Sequence, residues 1–250
     1  MNNSPQRDNV RTLVLTGASR GIGHATVKKF GASGWRIITI SRQPFSALCP
    51  WPGGGENHVQ LDLADPVDIG RGIEQIRARI GGRLDALVNN AAISPKGAGG
   101  SRLGAIDTPF DLWRQVFNVN FFAPVALARG LMAELSAAKG CVVNVTSIAG
   151  SRVHPFAGSA YATSKAALAA LTREMSHDFG PRGVRVNAIA PGEIDTSILS
   201  PGTEKIVEEQ IPMRRLGTPD EVADVIHFLC EKGSSYVSGA EIQINGGQHV

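Results

Sequence analysis

Cysteine is scarce in this sequence. Its three residues, Cys49, Cys141 and Cys230, stand far apart and never in a CxxC spacing. An odd, dispersed set builds no disulfide framework and fits a reducing compartment. The six histidines are scattered as well, so no metal site is legible. No apolar run approaches the roughly 18 residues needed to span a bilayer. The opening MNNSPQRDNV lacks the apolar stretch of a secretory signal. These absences predict a cytoplasmic protein with no membrane association and no metal. Charge of one sign is also in short supply. The formal net charge is only +3, and the lysines and arginines are spread along the chain. That pattern argues against a nucleic-acid surface and for an ordinary solvated exterior.

What is present suits a folded enzyme-sized domain. Hydrophobic residues make up 42% and charged residues 19% of 250 positions, enough for a sizeable core. No Pro/Gly/Ser linker divides the chain and no repeat is visible, so residues 1–250 read as one domain with a loose start over 1–10.

Short apolar runs alternate with longer amphipathic ones. Candidate strands are Thr12–Thr16, Arg36–Ile40, His58–Leu61, Leu84–Val88, Cys141–Val145, Val184–Ile189 and Glu241–Ile244. They are rich in Val, Ile and Leu with little alternation, as in strands covered on both faces. With helices between them, the expectation is an α/β fold: a Rossmann-type, doubly wound parallel sheet of seven strands. Asp65-Pro66, Thr108-Pro109 and Thr218-Pro219 each place a capping oxygen before a proline, which predicts three helix starts. Glu221 stands at capping-box spacing from Thr218. Gly140 and Gly180-Pro181 mark helix ends. Pro44–Asn57 and the glycine-rich Ser94–Ile106 read as irregular segments that follow strands, on the ligand-binding side of such sheets.

The first strand runs into Gly17-Ala18-Ser19-Arg20-Gly21-Ile22-Gly23 and then a helix. Glycines let backbone N–H groups approach a pyrophosphate, and a helix N-terminus favours negative charge. A glycine loop without a ligand is the alternative; the strand–turn–helix context favours the dinucleotide. The octet TGASRGIG resembles the short-chain dehydrogenase/reductase family in its compact form, and so do several motifs that follow it in order. These are Asn89-Asn90-Ala91-Ala92, Asn120, Ser147, Tyr161-Ala-Thr-Ser-Lys165, Pro191-Gly192 and Asn245-Gly246-Gly247. The resemblance spans Thr12 to Gly247 and is strongest to the 3-oxoacyl-carrier-protein reductases and their broad-substrate carbonyl reductase relatives. Two departures are Ala92, where the family usually has glycine, and Asn245, where it often has aspartate. Neither touches the chemistry.

The resemblance implies that Gly17, Ser19, Arg20, Gly21, Ile22 and Gly23 cradle a nicotinamide dinucleotide. It also implies that Asp62 and Leu63 hold the adenine, and that Asn89 and Ala91 line the adenosine ribose; a plain turn is the alternative for Asp62. After the second strand, NAD-preferring folds carry an acid for the ribose 2′-hydroxyl. Here Ser41 stands in its place and Arg42 follows. A guanidinium can pair with a 2′-phosphate that a carboxylate would repel, and Arg20 is a second cation. Two exposed surface arginines are the alternative, and the expected cofactor is NADP(H).

Tyr161 and Lys165 lie four residues apart on a predicted helix, hence on one face. A phenol is a poor acid or base near neutrality, and a nearby ammonium favours its ionised form. The pair can then exchange a proton with a carbonyl or alcohol oxygen while hydride moves to or from nicotinamide. Ser147 can hydrogen-bond that oxygen. Its neighbour Thr146 competes for the role, but alternation sends the two side chains to opposite faces; the resemblance selects Ser147. It likewise selects Asn120 over Asn118 as the residue that helps hold a water beside Lys165. It assigns Lys165 a bond to the nicotinamide ribose, and it places Pro191, Gly192, Ile194 and Thr196 along the carboxamide. Asp195–Pro212 reads as a lid. Pro155, Phe156 and Ile93 should shape an apolar pocket. His154 reads as a surface-loop histidine, with a substrate contact as the alternative.

The function implied is transfer of hydride between NADP(H) and a carbonyl or secondary alcohol. Two rivals stand beside it. A cofactor-binding sensor or scaffold without turnover would be expected to lose the Tyr or Lys, and both are present. An epimerase or dehydratase on a related fold would be expected to have a longer C-terminal region. The apolar excess at Phe117, Phe121, Phe122 and Val125 predicts a homo-oligomer. The resemblance implies that these helices pair across a two-fold axis, and the apolar strand Glu241–Ile244 would support a second contact, giving a homotetramer as the expectation.

Overall fold

Seven runs of Val, Ile and Leu form the centre of the computed structural model, which describes residues 10–45, 53–196, 199 and 202–250. The strands are β1 (Thr12–Thr16), β2 (Arg36–Ser41), β3 (His58–Gln60), β4 (Ala86–Asn89), β5 (Cys141–Val145), β6 (Arg185–Pro191) and β7 (Glu241–Ile244). All pair in parallel, in the order β3-β2-β1-β4-β5-β6-β7. Successive residues of a strand face opposite ways, so each central strand feeds two cores. Leu13 and Leu15 join one with Val27 and Phe30 of α1 (Gly21–Ala32) and Ile226 and Leu229 of α8 (Pro219–Cys230). Val14 joins the other with Ile73 and Ile76 of α2 (Pro66–Ile80), Leu127 of α4 (Ala123–Gly130) and Met175 of α6 (Ser159–Phe179). This is the doubly wound arrangement expected.

Side-chain caps explain two of the helix starts. Asp65 caps α2 by accepting from Val67 N and Asp68 N, and Thr218 and Glu221 close a reciprocal capping box on α8. Thr108 behaves differently from expectation. Helix α3 (Phe110–Phe117) takes Pro109 as its cap residue and has no side-chain cap, while the Thr108 hydroxyl donates to the Gly104 carbonyl at 2.6 Å. Helix α5 (Met132–Ala138) ends on Lys139 in the left-handed region, one residue before Gly140. Strand β4 starts later than the apolar run suggests. Leu84 N bonds the Glu134 carbonyl, and the Asp85 carboxylate accepts from Thr12 N, so both residues brace the edge of the ladder. Helix α7 (Thr203–Gln210) follows β6. Between α3 and α4 the helix widens to a π turn at Asn118–Phe122, a departure that often marks a functional position. Among the described residues no single helix is long and apolar enough to cross a membrane.

The expected loose start falls mainly on residues 1–9, and much of the Pro44–Asn57 segment falls on residues 46–52; both stretches lie outside the described residues, as does Cys49. The Ser94–Ile106 segment is a loop holding one short 3-10 turn, Ala98–Gly100.

Candidate active site

The sheet order reverses between β1 and β4: β2 and β3 lie to one side of β1, and β4 to β7 to the other. Loops leaving these strands diverge at that point and open a crevice at their C-terminal ends. A cavity of about 550 Å³ occupies it.

At one end sits the glycine turn. Gly17 has φ +71°, and a Cβ there would lie 2.8 Å from Ala91 Cα. A Cβ on Gly23 would lie 2.1 Å from the Gly17 carbonyl, so side chains at either position would push α1 off the sheet. Helix α1 has no side-chain cap and no acidic residue in its first turn. Its leading N–H groups, at Gly21 and Ile22 in the cavity wall, are therefore an open donor set of the kind that holds a pyrophosphate. Ser19 and Arg20 line the same end, and both are exposed.

Ser41, Arg42, Asp62, Leu63 and Ala91 complete that end of the wall. The Ser41 hydroxyl donates to the Gln43 carbonyl at 2.9 Å. Asp62 serves its turn as well, one carboxylate oxygen accepting from Ala64 N. Gly23, Asn89 and Asn120 do not line the cavity. Asn89 points into the sheet, where its amide donates to Asn144 Oδ1 at 2.9 Å. The neighbouring Asn90 takes the place expected for it. Its Nδ2 donates to the carbonyls of Thr16 and Gly17 at 3.0 Å each, which ties β4 to the glycine turn. The two asparagines occupy opposite faces of one strand end, and an NN pair alone does not show which is which.

At the other end Ser147, Tyr161 and Lys165 meet. Ser147 leaves β5 as the cap of a short 3-10 turn, its oxygen accepting from Ala149 N. Thr146 turns away, its hydroxyl donated to the Ile189 carbonyl at 2.8 Å and lying 2.6 Å from Glu241 Oε1. Tyr161 and Lys165 share a face of α6, with Nζ 5.7 Å from the phenol ring centre. Lys165 is 2% exposed and donates to the Val145 carbonyl at 2.5 Å. Burial pulls its pKa down to about 7. Burial also raises the Tyr161 phenol; a hydrogen bond with Ser147 opposes that rise and the charge of Glu193 adds to it.

Asn120 is fully buried in the π turn. Its Oδ1 accepts from Ile93 N, and its Nδ2 donates to the Ile93 carbonyl and to Ser164 Oγ. The side chain thus braces the loop after β4 against α6, beside Lys165. Asn118, its rival, donates to the Ala64 carbonyl instead. Pro191, Gly192, Ile194 and Thr196 line the wall after β6, with Thr196 Cγ2 only 3.2 Å from where a Cβ on Gly21 would sit. Of the expected lid, residues 197, 198, 200 and 201 lie outside the described residues, while Leu199 lines the cavity. Ile93 and Phe156 line it too, and Pro155 does not.

Three charged or polar residues join this end, of which the sequence singled out only His154. His154 is only 9% exposed, not a surface-loop residue, and its Nε2 lies 2.5 Å from Glu193 Oε1. Lys96 donates to the Phe156 carbonyl. Lys96, His154 and Glu193 all line the cavity. The signal available in the sequence was the acid Glu193 directly after Pro191-Gly192.

The enoyl-(acyl carrier protein) reductase family model matches residues 17–249. The FixR protein of Bradyrhizobium diazoefficiens is 59% identical over 98% of this chain and 88% of its own length. The 3-oxoacyl-[acyl-carrier-protein] reductase of Aquifex aeolicus is 32% identical over 95% of this chain and 96% of its own. A crystal structure of a short-chain dehydrogenase/reductase family oxidoreductase from Brucella ovis, in complex with a partially ordered NAD, superposes with a TM-score of 0.83. It is 62% identical and covers 95% of this chain and 100% of that one. The glycine turn, the reversed sheet order and the Ser147–Tyr161–Lys165 cluster agree with this kinship, and the chain belongs to the short-chain dehydrogenase/reductase family of oxidoreductases.

Proposed function

We propose that the protein transfers hydride between NADP(H) and a carbonyl or secondary alcohol, in the cytoplasm. The observation that carries this is the meeting of Ser147, Tyr161 and Lys165 at one end of a cavity whose other end is an uncapped helix start behind a glycine turn. The residues fit a nicotinamide dinucleotide: open N–H donors for the pyrophosphate, Asp62 and Leu63 for the adenine, Ala91 for the ribose and Thr196 near the carboxamide. Bound there, the nicotinamide supplies or accepts the hydride. Ser147 holds the substrate oxygen, Tyr161 gives or takes its proton, and Lys165 stabilises the phenolate left behind. Asn120 acts as a positioning residue through Ile93 and Ser164. The test follows nicotinamide absorbance with purified protein across a panel of ketones. Oxidation of the reduced cofactor that depends on ketone is expected; its absence from every ketone would favour a cofactor-binding sensor or scaffold.

Cofactor choice rests on Ser41, Arg42 and Arg20 around the end of β2, with no acid in Ser41's place. A charge-assisted hydrogen bond contributes roughly 1.5–3 kcal/mol. Both arginines are exposed, and screening keeps the effect at the low end, about tenfold in favour of NADPH. Arg42→Ala should weaken NADPH and leave NADH nearly untouched, and Ser41→Asp should reverse the preference. Steady-state kinetics with both cofactors decide it. A wild type that prefers NADH, the cofactor class bound to the Brucella ovis protein, would sink the charge argument.

The homotetramer is part of the same reading. Trp113, Phe117, Phe121 and Phe122 form a continuous aromatic ladder along the widened helix, with ring centres 5.2–6.3 Å apart, and Phe122 remains 55% exposed. Such a stripe suits an isologous two-fold contact. Strand β7, half-buried at the sheet edge, supports a second. Light scattering at micromolar concentration should give a mass four times that of the chain; a monomer mass ends the claim.

A further inference from the structure

The cavity wall carries a carboxylate that hydride transfer does not use. Glu193 follows the Pro191-Gly192 turn at the end of β6, and its side chain is only 10% exposed. A carboxylate so buried needs partners, because desolvation of its charge is costly. One partner is His154, from the loop after β5, with Nε2 at 2.5 Å from Glu193 Oε1. The His154 Nδ1 accepts from Phe156 N at 3.2 Å, so its lone pair is engaged and the ring proton resides on Nε2. His154 Nε2 therefore donates to the Glu193 carboxylate. The ring is held in place by that backbone bond and by an edge contact with Phe156, centres 5.9 Å apart. The other carboxylate oxygen, Oε2, has no hydrogen bond from any described residue, and Glu193 lines the cavity.

The position of that oxygen matters. Tyr161 and Lys96 line the cavity with Glu193, whose charge adds to the rise of the Tyr161 phenol and opposes the desolvation that lowers Lys96. Glu193 lines the same cavity as Ser147 and Tyr161, so an acceptor is held in the pocket that contains the phenol, with Lys96 in the same wall. A cationic group on the substrate would meet Lys96 as well as Glu193. A neutral hydroxyl would meet only an acceptor lacking a donor.

Resting on the reading of the protein as a carbonyl–alcohol oxidoreductase, we propose that Glu193, oriented by His154, is a specificity-determining residue. It selects substrates that carry a hydroxyl close to the reacting carbonyl: short hydroxy ketones and the corresponding diols. A purely apolar acyl chain would leave Oε2 desolvated and unpaired, and a site built to bond a substrate hydroxyl discriminates strongly against analogues that lack it.

The test compares 3-hydroxy-2-butanone and 4-hydroxy-2-butanone with 2-butanone, as ratios of kcat/KM. At least one hydroxy ketone should be favoured about tenfold or more, the scale of a hydrogen bond to a charged group. In Glu193→Gln, which keeps an acceptor for His154 but turns an N–H donor toward the cavity, that ratio should collapse toward one. Ratios near one for both pairs in the wild type, or a ratio unchanged in Glu193→Gln, overturn the proposal. Amino ketones of the same length form a further arm, and a preference for them over hydroxy ketones overturns the neutral-donor assignment. Failure of the oxidoreductase reading is read separately. Binding of 2,3-butanediol and of 2-butanol to the protein with oxidised cofactor is measured by ligand-observed NMR, which needs no turnover. Tighter diol binding that is lost in Glu193→Gln supports the acceptor even without activity; equal binding of the two alcohols overturns it.

Discussion

Tyr161→Phe should lower kcat by about two to four orders of magnitude, the range for losing a positioned proton-transfer group. The phenol is the only titratable hydroxyl among the described residues that joins Ser147 in the cavity wall, and burial keeps it protonated near neutrality. A protonated phenol is the form that carbonyl reduction consumes. Phenylalanine keeps the ring on α6 and removes only the oxygen, so cofactor affinity should change little. Rapid-mixing measurement of one turnover, alongside a cofactor titration, separates the two effects. Turnover close to that of the wild type would take Tyr161 out of the mechanism.

Lys165→Ala should damage both turnover and cofactor binding, each by about tenfold or more, the scale of a lost hydrogen bond to a charged group. On the proposed reading one ammonium serves both the phenolate and the nicotinamide ribose. The wild type should also show a pH signature. Burial brings Lys165 to about 7, so its cationic form prevails below that value and is lost above it. Because the cation stabilises the phenolate formed as Tyr161 gives up its proton, kcat/KM for reduction should fall as pH rises through about 7. In Lys165→Ala that inflection should vanish. The substitution also leaves the Val145 carbonyl without its donor, so melting temperature must be followed. Lower stability with an unchanged pH profile and unchanged cofactor KM would mean that Lys165 is structural only.

Several parts of the site were legible because each depends on a short local pattern. The TGASRGIG turn, the Tyr161-Lys165 spacing and the capping box at Thr218 hold their chemistry within a few residues, and the structure forms the turn, the shared helix face and the box. Strand type was legible because both faces are covered, which leaves unbroken apolar runs. Strand ends were less so. Leu84 has the composition of a strand residue, yet its N–H is claimed by Glu134 from another element. Thr108 has the composition of a cap, yet its hydroxyl is claimed by Gly104.

The sequence by itself determined the fold class, the order of the motifs and the residue types that reach the crevice, since periodicity and glycine placement are properties of the chain alone. The tertiary structure decided between Asn89 and Asn90 and showed where the hydroxyls of Thr146 and Ser147 go. Asn90 lines the cavity while Asn89 bonds Asn144, and Thr146 turns toward Ile189 and Glu241 while Ser147 meets Tyr161. The tertiary structure also decided that His154 and Glu193, 39 residues apart, form one unit. The physical reason is the parallel sheet. It delivers the loops after β4, β5 and β6 to the same end of the molecule, so residues with no local relation in the chain become neighbours around one substrate.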